Sequence, residues 1–366
     1  MRRDILFVGA DAGGNIPPVM AVARELAGRG HRVAAAGFTP RSSGIEPVPL
    51  SALLGHEPGP ATTGFGQLTG LIRLGMSPAV GRQVHETILR RRPDVVVIDA
   101  MMITAIRAAQ RCPSPVAVLF HSFGAFFDGP MAKGPANIAL RPVGLSPVRL
   151  WSAADERLAL TDRALDPLTD TGDTVGFQWT GTTEHGAAPE PRAPHADPLV
   201  LVSLSSVWQH GQDEVYRRII AALGRLPLRA IITRSTPTSP FTGEIPPNVE
   251  MRGRTPHAGI LSRASLVIGH GGHSTTLAAL AHGVPLLILP MNRMSDQPLI
   301  GRIVQQNGLG LTLRRSAKPA AIMQAVRSIL ADPTVAANAS RAGVRLRDEH
   351  GAGVAADRIE ALAREA

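Results

Sequence analysis

Two short stretches of this chain combine a glycine turn with side chains that can do chemistry. Residues 269–276 read GHGGHSTT, which sets two histidines and three hydroxyls around three glycines. They follow the apolar run SLVI and lead into the helix-like stretch LAALAHG. A strand-to-helix turn of this kind leaves backbone N–H groups unpaired at the positive end of the helix dipole, which makes an anion site. Gly272 removes a side chain so that phosphate oxygens can come close, and Ser274 and Thr275 can donate as well as cap. His270 can donate from a ring nitrogen and stabilise the charge on a departing diphosphate. Further on, VPLLILP is followed by MNRMSDQP, so Asp296 and Gln297 fall at the C-terminal edge of a strand. A carboxylate and an amide there suit hydrogen bonds to the hydroxyls of a sugar carried on the diphosphate. A plainer alternative stands beside this: Ser274 as a simple helix cap and the histidines as polar turn residues.

The other stretch, GADAGGN at residues 9–15, also lies between an apolar run (ILFV) and a helical one (VMAVARELAG). Its glycines do not fit G-x-G-x-x-G, and the next strand runs into GFTPR where a dinucleotide site needs a carboxylate for the ribose. A nicotinamide or flavin cofactor is therefore not expected. Gly9 can serve a tight turn alone, whereas Gly13 and Gly14 directly before a helix suit the close approach of a ligand. Asn15 heads that helix and cannot take a proton at neutral pH.

These turns need elements to hold them. Short β-branched runs (DILFVGA, HRVAAAGF, PDVVVIDA, PVAVLFH) alternate with Ala/Leu/Arg-rich helical stretches, and the runs are apolar throughout, as parallel strands buried on both faces require. After an Ala/Pro-rich stretch a second such series begins with PLVLVSLSS. The pattern predicts an α/β protein with two doubly wound Rossmann-like domains facing a cleft. The first domain spans residues 1–181, a linker 182–198 and the second domain 199–350; residues 351–366 form a C-terminal helix that can pack back on the first.

Composition narrows the partners. With 366 residues, 44% hydrophobic and 18% charged, the chain has material for large cores. The formal charge of +9 comes almost wholly from arginine, since Lys133 and Lys318 are the only lysines. Without lysine clusters or long basic runs, nucleic acid is not an expected partner, although the positive field helps capture a small anion. The single cysteine, Cys112, excludes an internal disulfide and a cysteine zinc site. Asp4 and the glycines interrupt any signal-peptide core, and no run approaches the ~20 apolar residues of a membrane span. A cytoplasmic location without membrane insertion is expected.

The stretch HGGHSTTLAALAHGVPLLILPMNRMSDQP resembles the donor-binding signature of GT-B nucleotide-sugar glycosyltransferases, in the branch that decorates antibiotics and other natural products in actinobacteria. The likeness is strongest over residues 253–312. It implies that His270 contacts the donor phosphate, that Gly272, Ser274 and Thr275 line the diphosphate site, and that Asp296 and Gln297 hold the sugar. Ser274 stands where the family usually has glycine. VLVSLSS is similar to the strand-end turn that faces the donor, with Ser206 matching its hydroxyl residue. RTPHAGIL resembles the segment that grips the nucleobase, with His257 in place and Arg254 where many relatives carry an aromatic or apolar residue.

The resemblance further implies an inverting transfer from a dTDP- or UDP-sugar, which is a substrate rather than a cofactor. No Asp-x-Asp pair for a metal is present, so helix N–H groups and His270 supply the electrostatics. The family usually pairs a histidine at the head of the first helix with an aspartate at the end of a later strand. Here those positions are Asn15 and Asp99. The base is then Asp99 with a pKa raised by burial, or Asp11, or His121 at the end of PVAVLFH. Alternatively the acceptor needs little help, as an acidic phenol or an aromatic carbon. Phenylalanines cluster at 120, 123, 126 and 127, and Phe123 and Phe126 are expected to wall a flat apolar acceptor. Competing readings on the same architecture are a nucleotide-sugar epimerase, a cell-wall sugar transferase, and a non-catalytic nucleotide-sugar binder marked by Asn15.

Overall fold

A computed structural model describes residues 1–40, 42–53, 74–170, 175–190, 197–205, 209, 211–234, 241 and 243–365. They form two compact units, one running to Thr183 and resuming at His350, the other spanning Glu184–Glu349. Each unit is built on a parallel sheet covered by helices.

In the first unit the strands are β1 (Asp4–Val8), β2 (Arg32–Ala36), β3 (Ile45–Val48), β4 (Val95–Asp99), β5 (Val116–Phe120), β6 (Glu156–Ala159) and β7 (Gln178–Trp179). Their spatial order is β3-β2-β1-β4-β5-β6-β7, with every pair parallel. The continuous apolar runs divide by parity, because successive side chains point to opposite faces. Ile5, Phe7, Val95, Val97, Ala117 and Leu119 pack with helix α1 (Ile16–Gly28), whereas Leu6, Val8, Val96, Ile98, Val118 and Phe120 pack with α2 (Pro78–Arg91) and α3 (Ile103–Ala109).

The second unit contains β8 (Leu199–Ser203), β9 (Arg229–Thr233), β10 (Val249–Arg252), β11 (Leu266–Gly269), β12 (Leu286–Ile288) and β13 (Gly310–Thr312), in the order β10-β9-β8-β11-β12-β13. Its helices include α4 (Gln212–Leu223), α5 (His273–Ala281), α6 (Gln297–Gln306) and α7 (Pro319–Ala331). Helix α8 (Gly351–Glu365) belongs to the first unit, where Ala355, Ala356, Ile359 and Ala363 share one core with α1. Its Glu360 lies 2.9 Å from His31 Nε2 and its Asp357 pairs with Arg29. Part of the stretch read as linker is held in place on the second unit. There the Ser262 carbonyl accepts from Glu190 N–H at 2.8 Å, and a Cβ on Gly186 would stand 2.3 Å from the Ala281 carbonyl oxygen.

Both sheets have one topological switch point. The chain leaves β1 to one side for β2 and later returns on its other side as β4; β8, β9 and β11 repeat the arrangement. In open α/β sheets the ligand crevice opens outside the C-terminal ends of the strands at such a point. Both glycine turns lie there. Among the described residues no helix is long and apolar enough to cross a membrane.

Candidate active site

At the first switch point the backbone after β1 turns through Gly13, whose φ of +93° suits glycine, while Asp11 Oδ1 accepts from Gly13 N–H at 2.9 Å. Asp11 is exposed and shapes this turn. Gly14 has nothing within 4 Å of where a side chain would begin. Asn15 is buried, and its side chain is engaged at both ends. Oδ1 accepts from Ala12 N–H at 3.0 Å, and Nδ2 donates to the Ala10 carbonyl and to Asp99 Oδ2, both at 2.9 Å. Asp99 ends β4 and is 2% exposed. Its Oδ1 accepts from Met101 N–H at 2.8 Å, and its Oδ2 lies 3.3 Å from His121 Nδ1 at the end of the adjacent β5. Three residues expected to bear on proton transfer thus meet within one cluster, and Asp11 stands apart in the turn.

The charge state of Asp99 differs from the expectation. Burial alone pushes its carboxyl upward, but the His121 charge and contact, the Asn15 amide and the Met101 N–H outweigh that and hold it below the usual range. A raised pKa was expected from the apolar strand end; the polar ligands of the carboxylate reverse it.

The phenylalanine cluster is mostly core. Phe120 and Phe127 are fully buried and meet edge to face at 4.9 Å, with Trp151 at 5.5 Å and Phe177 at 4.8 Å from Phe120. Phe123 is 1% exposed, which corrects its assignment to an acceptor wall: its ring is taken up by the interior. Phe126 is half-buried and packs on Phe127 at 5.4 Å. The turn after His121 is clamped by a residue that sequence reasoning missed. Asp166 is buried and accepts from Gly124 N–H (2.6 Å), Ala125 N–H (3.1 Å), Leu168 N–H (3.1 Å) and Trp179 Nε1 (2.9 Å). A Cβ on Gly124 would approach Asp166 Oδ2 to 3.0 Å. That contact is a signal for a small residue there, though one without a sequence motif.

At the second switch point β11 ends at Gly269 and the turn runs through His270, Gly271 and Gly272 into α5. Two missing side chains are demanded by the walls of the turn. Gly271 has φ +84° and a Cβ there would lie 2.9 Å from the Gln297 carbonyl oxygen; one on Gly272 would lie 2.7 Å from the His270 ring. No side chain caps α5, whose first turn carries the N–H groups of residues 273–275. His270 is buried, which pushes its pKa down to about 4 against a backbone hydrogen bond at Ser203, so the ring is neutral at pH 7. The Ser274 hydroxyl is hydrogen-bonded to Glu184, whose own carboxyl burial pushes upward. Gln297 Oε1 accepts from Met291 N–H (2.7 Å) and Asn292 N–H (2.9 Å), pinning the loop that carries Asp296 at the head of α6.

On the same sheet edge His257 Nε2 lies 3.0 Å from Thr233 Oγ1, and burial pushes this imidazole down as well. Arg254 is exposed three residues before it. The fold thus brings His257, His270, Gly272, Ser274, Thr275, Asp296 and Gln297 to one end of one sheet, on or beside the segments that follow β10, β11 and β12. Ser206 lies outside the described residues.

Comparisons with known proteins agree with this fold. Residues 217–358 match the family model of the erythromycin biosynthesis protein CIII-like C-terminal domain. The chain is 28% identical to the oleandomycin glycosyltransferase of Streptomyces antibioticus, over 96% of this chain and 88% of that one. The solved structure of the calicheamicin glycosyltransferase CalG4 superposes with a TM-score of 0.77 at 25% identity, covering 99% of this chain and 98% of the other. The glycosyltransferase of kitacinnamycin gives 0.79 at 24% identity, covering 99% of each chain, which speaks to the fold. Two parallel α/β units, a glycine turn at the switch point of each, and these likenesses together support a glycosyltransferase of GT-B fold, similar to those of antibiotic and natural-product biosynthesis.

Proposed function

We propose that this glycosyltransferase is inverting and metal-independent, moving a sugar from a dTDP- or UDP-linked donor to an apolar, aromatic small-molecule acceptor as an O- or C-glycoside. The observation that carries the reading is the turn Gly269–Gly272, in which Gly271 and Gly272 leave no room for side chains and which opens on the uncapped start of α5 beside the neutral imidazole of His270. Such a site suits a diphosphate: backbone N–H groups and the helix dipole meet its charge, and His270, whose single N–H is engaged at Ser203 while the ring is neutral, donates from its other nitrogen once it takes up a proton. Ser274 is engaged by Glu184, so its contribution to phosphate is its backbone N–H, next to that of Thr275. Asp296 and the amide nitrogen of Gln297 face the sugar hydroxyls. His257 and Arg254 bracket the nucleobase, on which an exposed guanidinium can stack.

The acceptor lies over Gly13 and Gly14, with open space beside Gly14, and Phe126 offers the half-buried aromatic edge. Attack from the face opposite the diphosphate inverts the anomeric carbon in one displacement, and a base at the first switch point takes the acceptor proton. The relatives named above, for oleandomycin and calicheamicin, support a small-molecule acceptor.

The test is incubation with dTDP-glucose and UDP-glucose and a panel of phenols, with detection of glycoside and free nucleoside diphosphate, and the anomeric configuration read by NMR coupling. A β-glycoside from these α-linked donors is expected. Donor binding without turnover across the panel would instead establish a non-catalytic nucleotide-sugar binder.

A further inference from the structure

Resting on the reading of the chain as an inverting transferase, we infer that the catalytic base is His121, supplied by β5, with Asp99 and Asn15 as positioning residues. The base expected at the head of α1 has therefore moved to a neighbouring strand.

Hydrogen-bond valence decides among the candidates. Both hydrogens of the Asn15 amide are donated, to Ala10 and Asp99, and its oxygen accepts from Ala12. It has no basic lone pair to offer, and its bonds hold Asp99 Oδ2 in place. Asp99 is 2% exposed and receives hydrogen bonds on both oxygens; its lowered pKa makes it a poor proton acceptor and a stable anion. Asp11 is exposed and ties up an oxygen in its own turn.

His121 remains. Its Nδ1 faces the anchored Asp99 oxygen at 3.3 Å, and its ring stands edge to face against buried Phe127 at 6.0 Å and 85°. The Asp166 clamp holds the backbone at Gly124 and Ala125, just beyond it. In the tautomer whose Nδ1–H faces Asp99, Nε2 on the opposite edge of the ring carries the basic lone pair, and the side chain is 21% exposed, enough to meet an acceptor. In apo geometry such contacts run long and tighten in the complex.

The step balances simply. The acceptor oxygen forms its bond to the anomeric carbon, and the bond from that carbon to the diphosphate oxygen breaks with its electron pair. The acceptor proton moves to His121 Nε2, where the Asp99 carboxylate stabilises the imidazolium until solvent takes the proton.

The experiment uses the full chain with dTDP-glucose and 4-methylumbelliferone. His121→Gln should lower kcat by about 10²- to 10⁴-fold while leaving dTDP affinity unchanged, and the loss should shrink with 4-nitrophenol, whose proton leaves more readily. Near-normal rates in His121→Gln would overturn the assignment. A second measurement does not depend on choosing a good acceptor. In the ¹⁵N-histidine spectrum at pH 8, His121 should be the Nδ1–H tautomer, and Asp99→Asn should redistribute it; an Nε2–H tautomer would refute the assignment even if the wild-type protein transferred nothing to the panel. Failure of all transfer by the wild-type chain would count against the proposed function instead.

Discussion

The switch point between β1 and β4 and the one between β8 and β11 occupy the same place in their sheets, yet they are furnished for opposite tasks. In the first, Pro17 and Pro18 fall in the opening turn of α1, so two of the N–H groups that make a helix start attractive to anions are missing. What gathers there is a carboxylate, an imidazole and an amide: Asp99, His121 and Asn15. In the second, α5 opens with three residues that keep their N–H groups, and the nearby imidazole is held neutral. One gap suits the movement of a proton, the other the holding of an anion. Two glycine turns that look alike in sequence are thus separated by what the next two residues do to the helix start.

The comparison can be broken most forcefully at the first gap. Asp99→Asn removes the anion that orients His121, and transfer to 4-methylumbelliferone should fall by about 10²-fold or more, with dTDP binding by calorimetry unchanged. Parallel losses of binding and transfer would merge the two roles again. At the second gap, Gly272→Ala drives a methyl into the His270 ring. Overpacking of about 1–3 kcal/mol should weaken dTDP binding about tenfold to a hundredfold, while His121 keeps its tautomer.

A smaller effect separates Phe123 from Phe126. Phe123→Ala empties a core position and should cost about 3–5 kcal/mol in denaturant unfolding. Phe126→Ala should leave stability nearly intact and raise KM for the phenol severalfold; the reverse ranking would restore Phe123 as an acceptor wall. The mildest test concerns His270. Its pKa falls from 6.5 in the unfolded chain to about 4 in the folded one, so unfolding takes up a proton between those values. Stability of the second unit should therefore decline as pH drops through that window, and His270→Gln should flatten the decline.

Much of this organisation was legible in the sequence because buried parallel strands announce themselves. DILFV, VVVID, VAVLF and LVLVS became β1, β4, β5 and β8. The edges did not: β3 (IEPV) carries a charged residue, β7 has only two residues, and β6 (ERLA) beside it is half charged. Such short, polar edge strands lack the periodicity that reveals a buried one. The donor turn was readable because glycine, histidine and serine sit next to one another along the chain. The first site was only partly so, since it draws Asn15, Asp99 and His121 from three different segments. Asp166 was invisible for the same reason: its partners lie at 124, 125, 168 and 179. The aromatic cluster misled because its true neighbours, Trp151 and Phe177, are distant in sequence.

Helix α8 gives the first unit an unusual place in the order of synthesis. Residues up to Thr183 cannot finish their core until the stretch from His350 onward has been made, because Ala355, Ala356, Ile359 and Ala363 pack into it. Most of the second unit, Glu184–Glu349, is made in between. During translation the nascent first half carries an apolar face with nothing to cover it. Chimeras that exchange donor halves between relatives should therefore keep residues from His350 onward with the recipient's own N-terminal half.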